Sequence, residues 1–451
     1  GSYTPDEGTI AVDGTGLPPG DTAAARAGGI GMVFQDLRLV PAFTVLENVV
    51  LSLPEKGLRI RRSALRTKIL ETSERLGLAV DPDAKVRDLA IGERQRVELC
   101  KVLMGGARLV ILDEPTSVLA PQEVDGLFAG LRELKADGLS VVIITHKLAE
   151  ARAIADELTV LRGGRVVLGG VAPHSLSDDE LVSAMVGHTV APLPADRPPV
   201  PADPTRVLAM SAVGLARPGA APLLHDIELT VHAGELVGVA GVSGNGQREL
   251  YEVALGLTAV TSGDVRIGDS KLTGDPRAAI SAGAVGVPED PVDDAVVPGL
   301  SVLEHMVLGD LSSYRKGLGV DWRTAREVAT DQSERSGLNV AAPERVVAEL
   351  SGGNIQRVML VRALGAPASF VAAAYPCRGL DISMTRQTQK LLLEQRASGA
   401  AVLMISEDID ELLEMSDRIV VMNEGRITGI VKPSETDRYE IGRLMLQGAA
   451  E

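Results

Sequence analysis

The sequence predicts an α/β protein built as two tandem copies of one parallel-sheet domain, and three observations predict it. Leu109–Leu112 is a run of four aliphatics, read as a strand buried on both faces, that ends in the carboxylates Asp113 and Glu114 before Pro115. Such a C-terminal tip is where an open α/β sheet keeps its ligand. A second run, Val141–Ile144, ends in Thr145 and His146. The third observation is a repeat: Leu89 and Leu350, Asp113 and Ala374, and His146 and Glu407 are each 261 positions apart. A constant offset across three motifs marks a duplicated domain.

The elements follow in order. Gly1 to Gly14 aligns by its turn and strand with Gly256 to Gly268, which in the second copy comes after a Gly-rich loop. By the repeat, about 50 residues carrying that loop, its strand and its helix are expected ahead of Gly1, and the chain is read as N-terminally truncated. Ile30 to Phe34 reads as a strand that delivers Gln35, although a surface Gln after a strand is commonplace. Arg61 to Leu78 carries Leu65, Ile69 and Leu76 at helical spacing with a stop near Gly77. Leu158–Leu161 and Arg165–Leu168 flank Gly163-Gly164 as a hairpin. Ala191 to Pro204 is Pro-rich and without period, so the expected division is a first domain at 1–190, a linker at 191–205 and a second domain at 206–451.

In the second copy, Leu236–Ala240 reads as a strand feeding the loop Gly241, Val242, Ser243, Gly244, Asn245, Gly246, Gln247, Arg248. Its glycines suit backbone N–H groups facing an anion at a helix start. A triphosphate loop ends in Gly-Lys-Ser/Thr. Here Gln247 stands for the lysine and Arg248 for the hydroxyl. Leu350–Arg357 places Ser351, Gly352, Gly353 and Asn354 at a helix start, where a hydroxyl and N–H groups can meet a terminal phosphate. The first copy has Ala90 and Ile91 in the Ser-Gly places. Ala374, Tyr375 and Glu407 replace Asp113, Glu114 and His146, and Glu289 stands near the counterpart of Gln35.

Composition bounds the class. A chain of 451 residues with 45% hydrophobic and 24% charged residues is globular and long enough for two cores. The net charge of -16 argues against nucleic-acid binding, since no excess of Lys and Arg is present to neutralise phosphates. Cys100 and Cys377 are the only cysteines, too few for a disulfide framework. No apolar run reaches the roughly 18–20 residues of a membrane span. His174, His188, His225, His232 and His305 lack metal-ligand spacing and are expected at the surface or in loops; Trp322 is expected in a core or subdomain contact, and Cys377 in packing.

The Leu89–Arg96 signature, the acid-tipped strand and the histidine, in this order and spacing, resemble the nucleotide-binding subunit of ABC transporters. The resemblance implies two tandem P-loop NTPase domains of the ABC type, each with an α-helical subdomain, the first without its phosphate-loop segment. It implies ATP and Mg²⁺ as cofactors, with Asp113 and Gln35 at the metal, Glu114 polarising the attacking water and His146 as switch. Because ABC domains dimerise head to tail, one composite site would join Gln35, Asp113, Glu114 and His146 to Ser351–Asn354. The other, built on Gly241–Arg248, would be degenerate.

The Gly-Asn-Gly-Gln loop and the Leu-Ser-Gly-Gly-Asn signature look like those of bacterial simple-sugar and nucleoside importers. That likeness implies a subunit on the cytoplasmic face of the membrane, held by integral-membrane permease subunits and served indirectly by an extracytoplasmic solute-binding protein. Two rivals stand beside it: a soluble tandem ABC ATPase acting on ribosomes, and a non-catalytic fragment.

Overall fold

The computed structural model describes residues 1–35, 37–53, 62–75, 80–89, 91–117, 119–188, 193–194, 197–200, 204–217, 222–309, 311 and 313–446. Ala90, the helix stop near Gly77 and linker positions 191, 192, 195, 196 and 201–203 lie outside them. The chain forms two compact units, residues 1–178 and 179–451.

The first unit is organised on a parallel three-stranded sheet in the order β1 (Ile30–Val33), β2 (Leu109–Asp113), β3 (Ser140–Ile144). Helices α1 (Val45–Ser52), α2 (Arg62–Arg75) and α3 (Ile91–Met104) lie between β1 and β2 in sequence. Thr44 starts α1 through a capping box with Glu47. Buried Ile69 and half-buried Leu65 of α2 pack with Leu46, Val49, Cys100 and Met104 in a small helical core. Helix α4 (Pro121–Ala136) packs Val124, Leu127, Phe128 and Leu131 beneath the sheet with Val33, Val110 and Leu112. Helix α5 (Leu148–Ile154) follows β3, and then β4 (Leu158–Arg162) and β5 (Arg165–Val171) make a separate hairpin. Gly163 and Gly164, at φ 56° and 74°, form its turn.

Two expectations are corrected here. Strand β2 is buried on one face only: Val110 and Leu112 are buried, but Leu109, Ile111 and Asp113 are half-buried. Next to them Val142 and Ile144 are 46% and 48% exposed. The first sixteen residues give only a two-residue pairing, Ala11–Val12 with Thr15–Gly16. Both results have one cause: among the described residues no second layer covers this face and no strand bonds to the outer edge of β3.

The second unit shows what such a layer does. An antiparallel sheet contains β6 (Arg206–Leu215), β7 (Leu224–His232) and β9 (Ser262–Ile267), while β8 (Leu236–Ala240) and helix α6 (Gln247–Ala254) form the loop-bearing unit. The main sheet runs β10 (Ala284–Val287), β11 (Phe370–Ala374), β12 (Ala401–Ile405), β8, β13 (Arg418–Asn423), β14 (Arg426–Val431), parallel until the last pair. Leu403 and Ile405, the counterparts of Val142 and Ile144, are each 1% exposed in the core shared with β6, β7 and α6. Helices α7 (Val302–Leu308), α8 (Trp322–Ser336) and α9 (Gly352–Leu364) form the subdomain, and α7 opens with the same capping box, Ser301 with Glu304. Helices α10 (Ile382–Ala397) and α11 (Ile409–Met415) flank β12 in sequence.

Three further expectations change. Trp322 is 46% exposed, because it opens α8 on the side away from the core. His305 is fully buried, satisfied by the Ser301 carbonyl at 2.9 Å and the Val297 N–H at 3.0 Å. The Pro-rich segment is fastened down: Arg197 donates to the Met415 carbonyl (2.8 Å), and Arg396 donates to the Pro198 carbonyl (2.9 Å).

Candidate functional site

Parallel strands end side by side, so whatever follows them meets. In the first unit the tips of β1, β2 and β3 bring together Gln35, Glu114 and His146. Gln35 Nε2 donates to Glu114 Oε2 at 3.0 Å, and His146 Nδ1 lies 3.0 Å from Glu114 Oε1. An Nδ1–H donated to the carboxylate leaves Nε2 facing outward. Glu114 has φ 44°, a left-handed conformation that costs a non-glycine residue about 1–3 kcal/mol and clusters at functional sites. Its own N–H is tied to the Ile144 carbonyl (2.9 Å), which holds the turn in register with β3.

Asp113 sits one residue back, half-buried, and among the described residues its carboxylate has no hydrogen-bond or ion-pair partner. No three His, Cys, Asp or Glu side chains among the described residues converge on a metal point. Mg²⁺ takes one or two carboxylates and completes its shell with water and substrate phosphates. Asp113 is the group that would hold it.

The same tips in the second unit carry different chemistry. Tyr375 keeps the backbone of Glu114, with φ 48° and its N–H on the Ile405 carbonyl (2.8 Å). Ala374 is buried and its side chain has no oxygen to offer, and burial pushes the Tyr375 phenol well above its usual range. Glu289, two residues past β10 as Gln35 is two past β1, and Glu407 both bind Arg378, at 2.7 Å each.

The phosphate-type loop is present in shape. Gly244 and Gly246 adopt φ 93° and 97°, which only glycine takes without strain, and Gly246 caps α6. Asn245 fastens the loop to the β13–β14 turn, its Oδ1 accepting from the Glu424 N–H (3.2 Å). The lysine place is spent internally: Gln247 is buried and donates to the Val242 carbonyl at 3.0 Å. Arg248 turns outward to pair with Glu252 at 3.1 Å. The Ser243 side chain carries no hydrogen bond among the described residues.

The signature at α9 is open. Ser351 is its N-cap and makes no cap hydrogen bond, and Ser351, Gly352 and Gly353 are exposed. A Cβ added at Gly352 or Gly353 would meet nothing within 4 Å, so their own unit does not require their smallness. By contrast a Cβ at Gly92, the counterpart of Gly353, would lie 2.2 Å from Glu123 Oε1. Asn354 Nδ2 donates to Ser351 Oγ at 3.0 Å.

Sequence reasoning missed three groups that shape these sites. Gln95 and Gln356, 261 apart, each donate to the proline carbonyl after the acid strand, Pro115 and Pro376, tying signature helix to strand tip. Glu150 and Glu411, also 261 apart, are buried beneath the switch loop; Glu150 accepts from Thr116, and Glu411 from Ser406 (2.6 Å) and Gln389 (2.9 Å). Arg378 is the third. Cys377 sits beside Glu411, and its thiol is pushed well up, first by burial and then by that carboxyl, which leaves it inert.

A family model described as ABC transporter matches residues 1–117 and 224–373. The nucleoside import ATP-binding protein NupA of Lactococcus lactis subsp. cremoris is 37% identical over 455 residues, covering 99% of this chain and 89% of that protein. The ribose import ATP-binding protein RbsA 1 of Streptomyces avermitilis is 38% identical over 444 residues, covering 98% and 83%. Among solved structures, the archaeal ribosome recycling factor aABCE1, in complex with the ribosomal stalk protein aP1, superposes with a TM-score of 0.60 at 19% identity over 89% of this chain and 74% of that one. At that identity the likeness speaks for the fold alone.

Proposed function

The chain belongs to the ABC transporter family, and from that membership we propose that it is the ATP-binding, ATP-hydrolysing subunit that energises import of a nucleoside or simple sugar through a membrane permease. The observation that carries the hydrolytic half is the meeting of Gln35, Glu114 and His146 at three adjacent strand tips. The import half is supported by the relatives, whose names are those of nucleoside and sugar import proteins.

In this reading the first unit supplies the chemistry. The Glu114 carboxylate, oriented from both sides by Gln35 and His146, accepts the proton of the attacking water. Asp113 would hold Mg²⁺, which when bound would offset charge on the phosphates. Ser351 and the N–H groups of Gly352–Asn354 stand at a helix start, which favours an anion such as a γ-phosphate. The second unit's strand tips do no hydrolysis: they lack the acid pair, and Gln247 is turned into its own loop.

Among the described residues no helix is long and apolar enough to cross a membrane, so in this reading permease subunits hold the protein at the cytoplasmic face. In the second unit a cavity of about 530 Å³ is lined by Tyr251, Leu255, Leu257, Ile280, Pro288 and Arg362, and the exposed side chains of Leu257 and Ile280 rim it. We assign it to a permease segment. A ribosomal role rests on likeness of fold alone. Affinity purification of the tagged chain from membranes tests the choice: permease subunits are the expected partners, and ribosomal particles in their place would overturn the importer reading.

A further inference from the structure

We infer that Arg378 is a built-in counter-ion that holds the second unit's strand tips in one arrangement with neither metal nor nucleotide. Four places set it apart from the first unit. Where Gln35, Glu114 and His146 meet, the second unit has Glu289, Tyr375 and Glu407, and Arg378 stands where the first unit has Ser117. The Ser117 hydroxyl reaches only its own turn, donating to the Glu114 carbonyl at 3.1 Å.

Arg378 reaches across the sheet. Its Nη1 donates to Glu289 Oε1 at 2.7 Å, and its Nη2 and Nε form a fork on Glu407 at 2.7 and 3.3 Å. The guanidinium carbon lies 4.7 Å from the centroid of the Tyr375 ring. One side chain from the loop after β11 therefore ties the ends of β10 and β12 and rests on the residue in the left-handed turn between them. Two carboxylates facing one site would repel, and a planar fork between them removes that repulsion while fixing their positions.

Single rim ion pairs contribute little. Here the pair is bidentate on one acid, shared with a second and laid on an aromatic face; Arg378 stands exposed at the rim, with a side-chain exposure of 36%, while Glu289 and Glu407 at 33% and 25% are half-buried. Burial opposes the charge on Arg378, and the carboxylates, Glu407 foremost, outweigh it and raise the guanidinium above its ordinary range. With Ala374 offering no metal ligand and Gln247 folded into its own loop, an arriving metal-bound phosphate would have to break these three bonds without replacing them. In the first unit a neutral amide and an imidazole hold the same place and are free to re-form around a ligand.

The inference goes beyond the importer reading and does not depend on it. Hydrogen exchange of the whole chain, followed at residues 287–290 and 376–381, tests it with Mg²⁺ plus adenylyl imidodiphosphate as the probe. Wild-type exchange in both segments is expected to be the same with and without the probe. Arg378→Ala should raise it roughly tenfold, the scale of losing a charge-assisted hydrogen bond, and Arg378→Lys should recover only part, since an ammonium cannot serve a fork. Unchanged exchange in Arg378→Ala, or tenfold protection of the wild type by the probe, would overturn the inference. If Arg378→Ala does not fold, Glu289→Gln/Glu407→Gln keeps the shapes and removes the charges: a rise supports the counter-ion role and no rise refutes it. Recovery of ribosomal particles in place of permease subunits would instead count against the importer reading and leave this result standing.

Discussion

At the scale of single residues, the two units part company at the position after the acid strand. Glu114 and Tyr375 share a left-handed backbone, so the repeat kept the strained turn and changed the group it presents. Turnover is to be measured on the chain supplied with a lysine-bearing phosphate loop ahead of residue 1. There Glu114→Gln should bind Mg-ATP and lose roughly 10² or more in rate, the scale of a positioned general base. Adding Tyr375→Glu should not rescue it, because Ala374 and Glu407 still stand where the metal carboxylate and the histidine would be; near-normal hydrolysis in Glu114→Gln would end the one-site account. Ser351→Ala should slow the same reaction, whereas Ala90→Ser should change it little. Glu411 carries a different prediction. Burial, against hydrogen bonds from Cys377, Ser406 and Gln389, raises its pKa above 4.5. The unfolded chain then gives up this proton first, so stability is full below the ordinary carboxylate pKa and falls as pH rises toward the folded value. Glu411→Gln should flatten that fall, which chemical denaturation of the second unit at pH 4 to 7 would register. An unaltered slope would mean the carboxyl is ionised in the fold.

At the scale of elements, a strand is worth what packs on it. Val142 and Ile144 on β3 stand half-exposed while Leu403 and Ile405 on β12 are enclosed by the layer of β6, β7 and α6. Truncating Leu403 or Ile405 to Ala should cost about 2–5 kcal/mol, as for buried Leu and Ile generally, and Val142→Ala or Ile144→Ala under about 1 kcal/mol. Denaturant unfolding tracked by exchange in each unit separates the two, and equal costs would mean that this face of β3 is covered in solution. The same contrast explains what the sequence disclosed. Aliphatic runs located β2, β3 and β8, and the constant offset exposed the duplication. Burial on both faces of β2 was not legible, because an aliphatic run records what a strand can bury and not whether a second layer is there. Likewise Gln35, Glu114 and His146 were legible as ends of strands, whereas Gln95 and Gln356 tie a helix to a strand tip and Arg378 reaches across the sheet, pairings that no single window of sequence contains.

At the scale of the whole molecule, duplication followed by divergence gives one unit whose strand tips gather Gln35, Glu114 and His146 and one with an open signature and a self-satisfied site. The 451 residues contain no lysine-bearing phosphate loop, so this polypeptide alone should turn over ATP no faster than its Glu114→Gln variant; a clear excess would place hydrolysis on Gly241–Arg248. The permease assignment makes the other demand. Leu257 and Ile280, 50% and 61% exposed at the rim of the cavity beside α6, are apolar where a free surface has little use for them. If a permease segment seats there, Ile280→Glu sets a charge against an apolar contact and should cut the permease recovered with the tagged chain by tenfold or more, on the scale of about 1–3 kcal/mol for leaving a polar group buried without a partner. The position is exposed, so the fold has no reason to suffer, and the thermal midpoint of the isolated chain should stay within a few degrees of wild type. Undiminished recovery of permease with Ile280→Glu, and with Leu257→Glu as the second probe, would move the contact to another face of the unit.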